Sequence, residues 1–598
     1  MKPMSTRPAI MEFANRPILF VSAFAAYTLA LLLGVLSPYL VETAALTPFY
    51  TNAPISEILG SPCGLLLYVA SGCQRCMVYP WLGASLFTAL LIAMAFVLRW
   101  AFRVSDAWFG LCWIPSFALL VNYTQLGYLI YTVKHPAIAF AEPLGLLIAF
   151  CLIGLWYRLN DWRWKVAFML LVPTVGFWLF GFFGLVVLPF LGFCELAIAR
   201  FLLSNQPTGK KSWPQFLWGL SLFLAGFLLP VILRAVLQLQ IDIEMGHVSF
   251  TNDQRDMRNP WFIAYLFPTA FACFRFVGKK FWMTIVAAVV FVALAIAAYT
   301  YSFRDPNFLN TLKMKHAAEA GKWEQVLQLA NENQKEPTRA QVCLTRLALF
   351  KTGRMGDELF TYPEGSAAYN APQQNQWLRL MIGPLLYYHY GKLGFAYRWA
   401  MEDLVEYGER PAYLRYLLNV ACLNGEEALA HRYERALTRT LFNDDVQKEV
   451  EKEVNAIRPL LNFNDQLDGD NGLVEFYLLN SFSLSQGGSR EMVELSLMNS
   501  LITKNLTGFW HRFMALLPTW QGRIPTHYQE AALMVAQLQG ASPVPDLPVD
   551  PTIQQRFQRL IDASARRGDN AANAIALRPE FGNTYWYYYF FVEGLKTN

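Results

Sequence analysis

The carboxylate of Glu42, in "SPYLVETAAL", follows a long apolar run, and a loop of about forty residues separates it from the next run able to span a bilayer. A carboxylate so placed could take the proton of an acceptor hydroxyl or hold a divalent metal beside a phosphate leaving group. Its plainer reading is a solvated interfacial acid. A second polar concentration is "DIEMGHVSFTNDQRDMRNPW", with His247, Asp253, Arg255, Asp256 and Arg258. The arginines suit a phosphate and the acids suit a base or a metal ligand; the alternative is a hydrated connector whose charges pair with one another. Glu142 and Arg234 lie within apolar runs, where a charge is costly unless paired or near water. The candidate catalytic residues are therefore Glu42, Asp253 and Asp256. The candidate substrate-binding residues are His247, Arg255, Arg258, Glu142 and Arg234, around an outward-facing polar cavity. Glu195 and Arg275 lie nearer the opposite ends of their runs and are expected to snorkel.

Three of the nine cysteines fall in "PCGLLLYVASGCQRCMVYPW". A Cys-x-x-Cys signals redox chemistry when it opens a helix in a thioredoxin-like unit, whereas Cys73 and Cys76 are flanked by apolar residues. A structural zinc needs four ligands, and this loop has no histidine. In an oxidising compartment a disulfide would join Cys63 to one of the pair, or Cys73 to Cys76. Small buried apolar side chains are the favoured reading. The chain has no phosphate-binding glycine loop, no serine-nucleophile elbow and no His-Glu-x-x-His.

The elements that must position these residues follow from composition. Of 598 residues 55% are hydrophobic and only 16% charged, well under the roughly 25% charged of soluble chains. The shortfall is confined to the part before about Tyr301, where nine apolar runs are expected to span: 17–37, 82–101, 107–124, 137–157, 166–181, 183–203, 214–236, 259–276 and 281–301. The block 166–203 is one unbroken run, divided here at "FGFFG" because one helix of that length would overshoot the bilayer. Arg99, Arg103, Arg158, Arg163, Lys165, Lys210, Lys211, Lys279 and Lys280 follow alternate runs, which sets the N-terminus in the cytoplasm and the C-terminal half in the periplasm. The net charge of +5 has no concentrated basic face, so nothing points to nucleic acid.

Beyond about Asn307 short amphipathic helix pairs are expected. Glycines 321, 353, 391 and 425 each stand between an apolar helix end and a new helix, 32, 38 and 34 residues apart, bracketing the 34-residue tetratricopeptide period. Such pairs stack into a solenoid because neither helix can bury its apolar face alone. "ASPVPDLPVDP" reads as a proline-rich linker. "NTYWYYYFF" reads as a cap on the last repeat or as an aromatic edge for a partner or the bilayer interface.

The stretches "SPCGLLLYVASGCQRCMVYPWLGA", "AGKWEQVLQLA", "LALFKTGRMGDELFTYPEG", "FAYRWAMEDLVEYGERPAYLRYLLNVACLNGEEALAHRY" and "TYWYYY" resemble a family of uncharacterised Bacteroidota multi-pass membrane proteins with a repeat-like helical tail. The resemblance implies an architecture and no activity. In that family the first loop more usually reads Pro-Gly-Gly-Leu followed by aromatics, so Cys63 and Cys76 are local departures. The layout also resembles polytopic glycosyltransferases that use lipid-linked sugars, with an acid at the outer end of the first span, helices in a long first loop and, in some, a helical-repeat tail. Those enzymes often pair two acids, whereas "VETAAL" has one.

The expectation is an all-α chain: a transmembrane bundle of about nine spans over 1–302, a periplasmic tetratricopeptide-like α-solenoid over 303–540, then a linker and aromatic cap over 541–598. Its function is expected to be an inner-membrane protein whose solenoid binds a protein or peptide on its concave face or serves envelope assembly. The alternative is a glycosyltransferase-like enzyme with a lipid-linked sugar donor and its site on the periplasmic face. No cofactor is expected; a divalent metal enters only under the alternative. The bilayer is a partner under either.

Overall fold

The structure, a computed structural model, describes residues 17–60, 63–133, 137–205, 212–237, 281–332, 336–365, 372–442, 446–461, 475, 478–479, 490–520, 522–539, 547–565 and 570–592. Among these residues it is helical throughout, with a single isolated antiparallel bridge between Tyr50 and Thr440. Two compact units divide the chain. The first contains residues 1–304 with two short segments from the C-terminal half, 407–412 and 436–444; the second contains the rest.

In the first unit seven described helical segments are long and apolar enough to cross a bilayer: Pro17–Gly34, Pro80–Phe102, Asp106–Thr124, Ile138–Trp156, Trp162–Phe180, Phe182–Arg200 and Trp282–Tyr301. In lipid the backbone has no water to bond, so an apolar run must satisfy its own amides as a helix. The span expected at 214–236 falls in the 26-residue helix Ser212–Leu237. The span expected at 259–276 lies outside the described residues.

The apolar block 166–203 is divided where the sequence suggests. A π-helical turn at Val172–Gly176 leads to a short helix, and Gly181 at φ +59° ends it before Phe182–Asn205 begins. Only glycine takes that φ without penalty. The two arms then touch backbone to backbone: a Cβ on Gly184 would lie 2.3 Å from the Gly176 carbonyl carbon, whereas a Cβ on Gly176 would meet nothing nearer than 3.6 Å. Gly184→Ala should therefore cost about 1–3 kcal/mol through overpacking, and Gly176→Ala should be tolerated. Thermal unfolding of the two variants in detergent checks this asymmetry.

Trp282–Tyr301 runs beside Asp106–Thr124 in the same direction. A Cβ on Gly110 would strike Ala287, the Phe117 and Phe291 rings meet at 5.2 Å, and Ser302 Oγ lies 2.9 Å from Thr124 Oγ1. At the opposite end Arg158 donates to the Trp100 carbonyl, 3.1 Å away, with its guanidinium over the Trp100 ring. Arginines that follow two different spans thus share one end of the bundle.

The second unit is built on a recurring turn. Gly321, Gly353, Gly391 and Gly425 have φ between +68° and +76°. In each case the glycine amide bonds the carbonyl three residues back, and the next amide bonds the carbonyl five residues before itself. That pattern closes a helix by satisfying its last carbonyls. A fifth turn has the same bonds with lysine in the glycine's place: Lys504, at φ +58°, between Arg490–Ile502 and Leu506–Leu516. Its ammonium reaches the Tyr589 and Val592 carbonyls at 2.8 and 2.7 Å, closing the last helix, Tyr585–Phe591. One expected helix is cut short, since after Gly353 the chain forms only Met355–Glu358 and a 3-10 turn.

"NTYWYYYFF" is a packed helix. Thr584 caps it, Trp586 Nε1 donates to the Glu530 carbonyl at 2.7 Å and Tyr588 to the Ile502 carbonyl at 2.7 Å. The Glu530 carboxylate also takes the Tyr585 amide and His527 Nδ1.

Candidate site around Glu42

The loop after the first span folds into three helices, Ser37–Ala45, Ile55–Ile58 and Gly64–Arg75. Proline at the second position favours the start of Ser37–Ala45. Glu42 lies on that helix and is fully buried. Tyr131 donates its phenol to Glu42 Oε1 at 2.9 Å. One residue on, Thr43 bonds the Tyr123 hydroxyl at 3.0 Å, and Tyr39 donates to the Tyr123 carbonyl at 2.9 Å. The helix carrying the acid is thus pinned to the end of the Asp106–Thr124 span. A solvated acid would be exposed; this one is enclosed.

Gly64–Arg75 closes over the same place. Gln74 donates to Thr47 Oγ1 and accepts the Ala139 amide, each at 3.0 Å. Arg75 donates to the Ala44 carbonyl at 2.8 Å and the Leu441 carbonyl at 2.7 Å. Burial pulls the Arg75 guanidinium down to about 10, which leaves it charged at neutral pH.

The two segments of the C-terminal half that belong to this unit meet the loop here. Arg410, fully buried, donates to the Tyr131 and Val133 carbonyls. Tyr50 donates to the Glu409 carboxylate at 2.7 Å, the Thr51 amide donates to the Arg439 carbonyl at 3.0 Å, and Tyr79 packs edge-on against Phe442. Sequence reasoning missed Tyr131, Gln74, Arg75 and Arg410. None stands in a pattern that marks chemistry, and Arg410 is far from the first loop along the chain.

Of the expected site residues, Glu142 is buried within Ile138–Trp156 and accepts from Asn122 Nδ2 at 2.6 Å. Tyr131 is a partner of Glu42, and Asn122 of Glu142. The Arg234 side chain and all of His247, Asp253, Arg255, Asp256 and Arg258 lie outside the described residues, as does Arg275. Glu195 was expected to snorkel and does not. It is buried and accepts from Trp156 Nε1 at 2.9 Å, because the indole supplies inside the bundle the donor that water would supply outside.

The cysteines of the first loop are separate thiols. Burial pushes Cys63 up to about 12 and raises Cys73 and Cys76 as well, which disfavours the thiolate that redox or metal chemistry requires. Among the described residues no three His, Cys, Asp or Glu side chains gather in a metal-holding group.

A family model described as Family of unknown function (DUF6057) matches residues 18–592. The chain belongs to that family. No curated protein and no solved structure matches it.

Proposed function

We propose that this member of a family of unknown function is a bacterial inner-membrane protein whose C-terminal helix pairs form a periplasmic, tetratricopeptide-like solenoid that holds a protein or peptide partner during envelope assembly. The carrying observation is the set of four glycine turns with equal geometry at near-constant spacing. Three of the four turns join full helix pairs, and stacked pairs present a continuous concave surface. The sidedness has two supports. The arginines after the second and fourth spans share the end of the bundle opposite Glu42, Thr124 and Ser302, as cytoplasmic cations should. The common direction of Asp106–Thr124 and Trp282–Tyr301 is also what nine crossings produce. A photo-crosslinking residue at Val405, 77% exposed on its helix, tests the role in living cells. It should capture one defined envelope protein, and a lipid-only product would count against the reading.

A second reading has its own observation: an acid at the end of the first span, enclosed beneath the helices of a long first loop. On it the chain transfers a sugar from a lipid-linked donor, with Glu42 as base for the acceptor hydroxyl. Among the described residues no group of three His, Cys, Asp or Glu side chains includes Glu42, and no step is routed through a divalent metal. Glu42→Gln keeps an oxygen for Tyr131. On this reading it should lower transfer by about 10²–10⁴-fold at an unchanged melting temperature. A variant that supports a normal envelope would return the chain to the scaffold reading.

A further inference from the structure

Where the ends of several repeat helices meet, the second unit has an open cavity of about 510 Å³, within the range of small-ligand sites. Its inner wall holds Lys351, the last residue of Arg339–Lys351, and His389, the last residue of Pro372–His389. Trp323 meets the His389 ring edge-to-face, with centroids 5.0 Å apart. The acids around the cavity have cationic partners. Glu319 pairs with Lys315 at 3.0 Å. Arg415 is held by Glu453 and, at 3.3 Å, by Glu449. Among the described residues Lys351 makes no hydrogen bond or ion pair, and His389 makes no hydrogen bond. Lys452 stands exposed at the rim.

Lys351 is half-buried, and a cation drawn partly out of water is costly without a counter-charge. A water would satisfy part of this set but leave the ammonium without a counter-charge. Helix C-termini repel anions through open carbonyls, yet here the glycine turns at 321, 353 and 391 take those carbonyls. The matched acids still oppose a dianion. Lys351, Arg415 and Lys452 balance Glu319, Glu449 and Glu453 in number, and Lys351 is the inner cation that no carboxylate holds among the described residues, which leaves it room for one negative charge.

We propose that this cavity binds a small organic monocarboxylate, its carboxylate on Lys351 and His389 and its apolar or ring-shaped remainder against Trp323. The ligand is a free acid, with the C-terminal carboxylate of a peptide as the other source of the same chemistry. The proposal rests on the interaction reading of the helix pairs, which the Val405 crosslink tests separately.

Burial lowers Lys351 to about 8, and burial together with Lys351 and Arg415 keeps His389 well below its ordinary value, so neutral. The ammonium is present below that point and lost above it. Glu319, Arg415, Glu449, Lys452 and Glu453 also face the cavity. Loss of the Lys351 charge between pH 7 and 9 sets the expected pH dependence.

The experiment titrates the purified full-length protein in detergent by calorimetry with 3-phenylpropionate, with 3-phenylpropanamide, and with an acetylated tripeptide ending in phenylalanine as acid or amide. The acids should bind saturably and the amides at least tenfold more weakly. Lys351→Met should weaken the acids at least tenfold, as should raising the pH from 7 to 9. Trp323→Leu, on a half-exposed residue, should weaken them too and serves if Lys351→Met unfolds. A preference between 3-phenylpropionate and the peptide acid names the source. Acid and amide binding alike, a Lys351→Met protein that folds and binds as before, or no binding by any probe would overturn the proposal.

Discussion

Replacing Glu475 with alanine should destabilise the second unit by about 3–5 kcal/mol, the cost of stripping a buried ion pair of one partner. Glu475 is buried between two arginines. Arg339 holds both its oxygens, and Arg346 donates to Oε1 at 2.7 Å while also bonding Glu364. Both guanidinium groups are nearly enclosed. Without Glu475, two cations share a low-dielectric pocket with one acid, Glu364. Over a unit of this size the loss amounts to roughly 10 °C in melting temperature. Glu475→Gln should fall between, since it keeps an acceptor and loses the charge. Burial alone would lift the Glu475 carboxyl; Arg339 and Arg346 overcome that and hold it below its ordinary range. A lowered folded-state value means that this stabilisation is present above the unfolded value, about 4.3, and is lost as pH falls through the folded one. Thermal melts from pH 7 downward should therefore show wild type converging on Glu475→Ala in acid. Parallel curves would sink the argument.

That ion cluster could not be read from the sequence, and the reason is general to the chain. Features that depend on a few neighbouring residues were legible. Apolar runs gave the spans, since lipid leaves an apolar backbone no other solution. "FGFFG" gave the division of 166–203 because a glycine must adopt φ +59° there. The four repeat turns were legible because glycine announces a left-handed residue. The fifth was not, because Lys504 takes the same conformation while its ammonium bonds the Tyr589 and Val592 carbonyls. Long-range pairing leaves no local trace. Nothing around Arg339 indicates Glu475, and nothing in "VEYGERPAYL" or "RTLFND" separates turns of the second unit from segments built into the first. Of the candidate site, Glu42 was legible as an acid at a span end. Its enclosure by Tyr131 and the Gly64–Arg75 helix was not, because both arrive from elsewhere in the chain.

The other large effect is expected at Arg410. Its guanidinium, completely buried, bonds the carbonyls of Tyr131 and Val133, in the segment whose Tyr131 phenol holds Glu42. Methionine would fill much of the volume and supply none of the donors. Each charge-assisted bond to a carbonyl is worth about 1.5–3 kcal/mol, so Arg410→Met should loosen residues 407–412 by at least the lower figure. The bonds at 436–444 are of a different kind, a β-bridge at Tyr50–Thr440 and the Arg75 bond to Leu441, and they should survive the substitution. Limited proteolysis in detergent distinguishes the two segments. The variant should be cut first near residue 408 and spared near 440, while Arg75→Met should reverse the order. The double variant should release both segments and lower the melting temperature by more than either change alone. Equal resistance of wild type and Arg410→Met at 407–412 would show that the segment is held by its flanking helices, with the guanidinium contributing nothing measurable. Loss of Arg410 should also leave Tyr131 less constrained. A rise in hydrogen exchange at residues 129–133 without a change at 20–32 would place the effect at the roof of Glu42, apart from the spans beneath it.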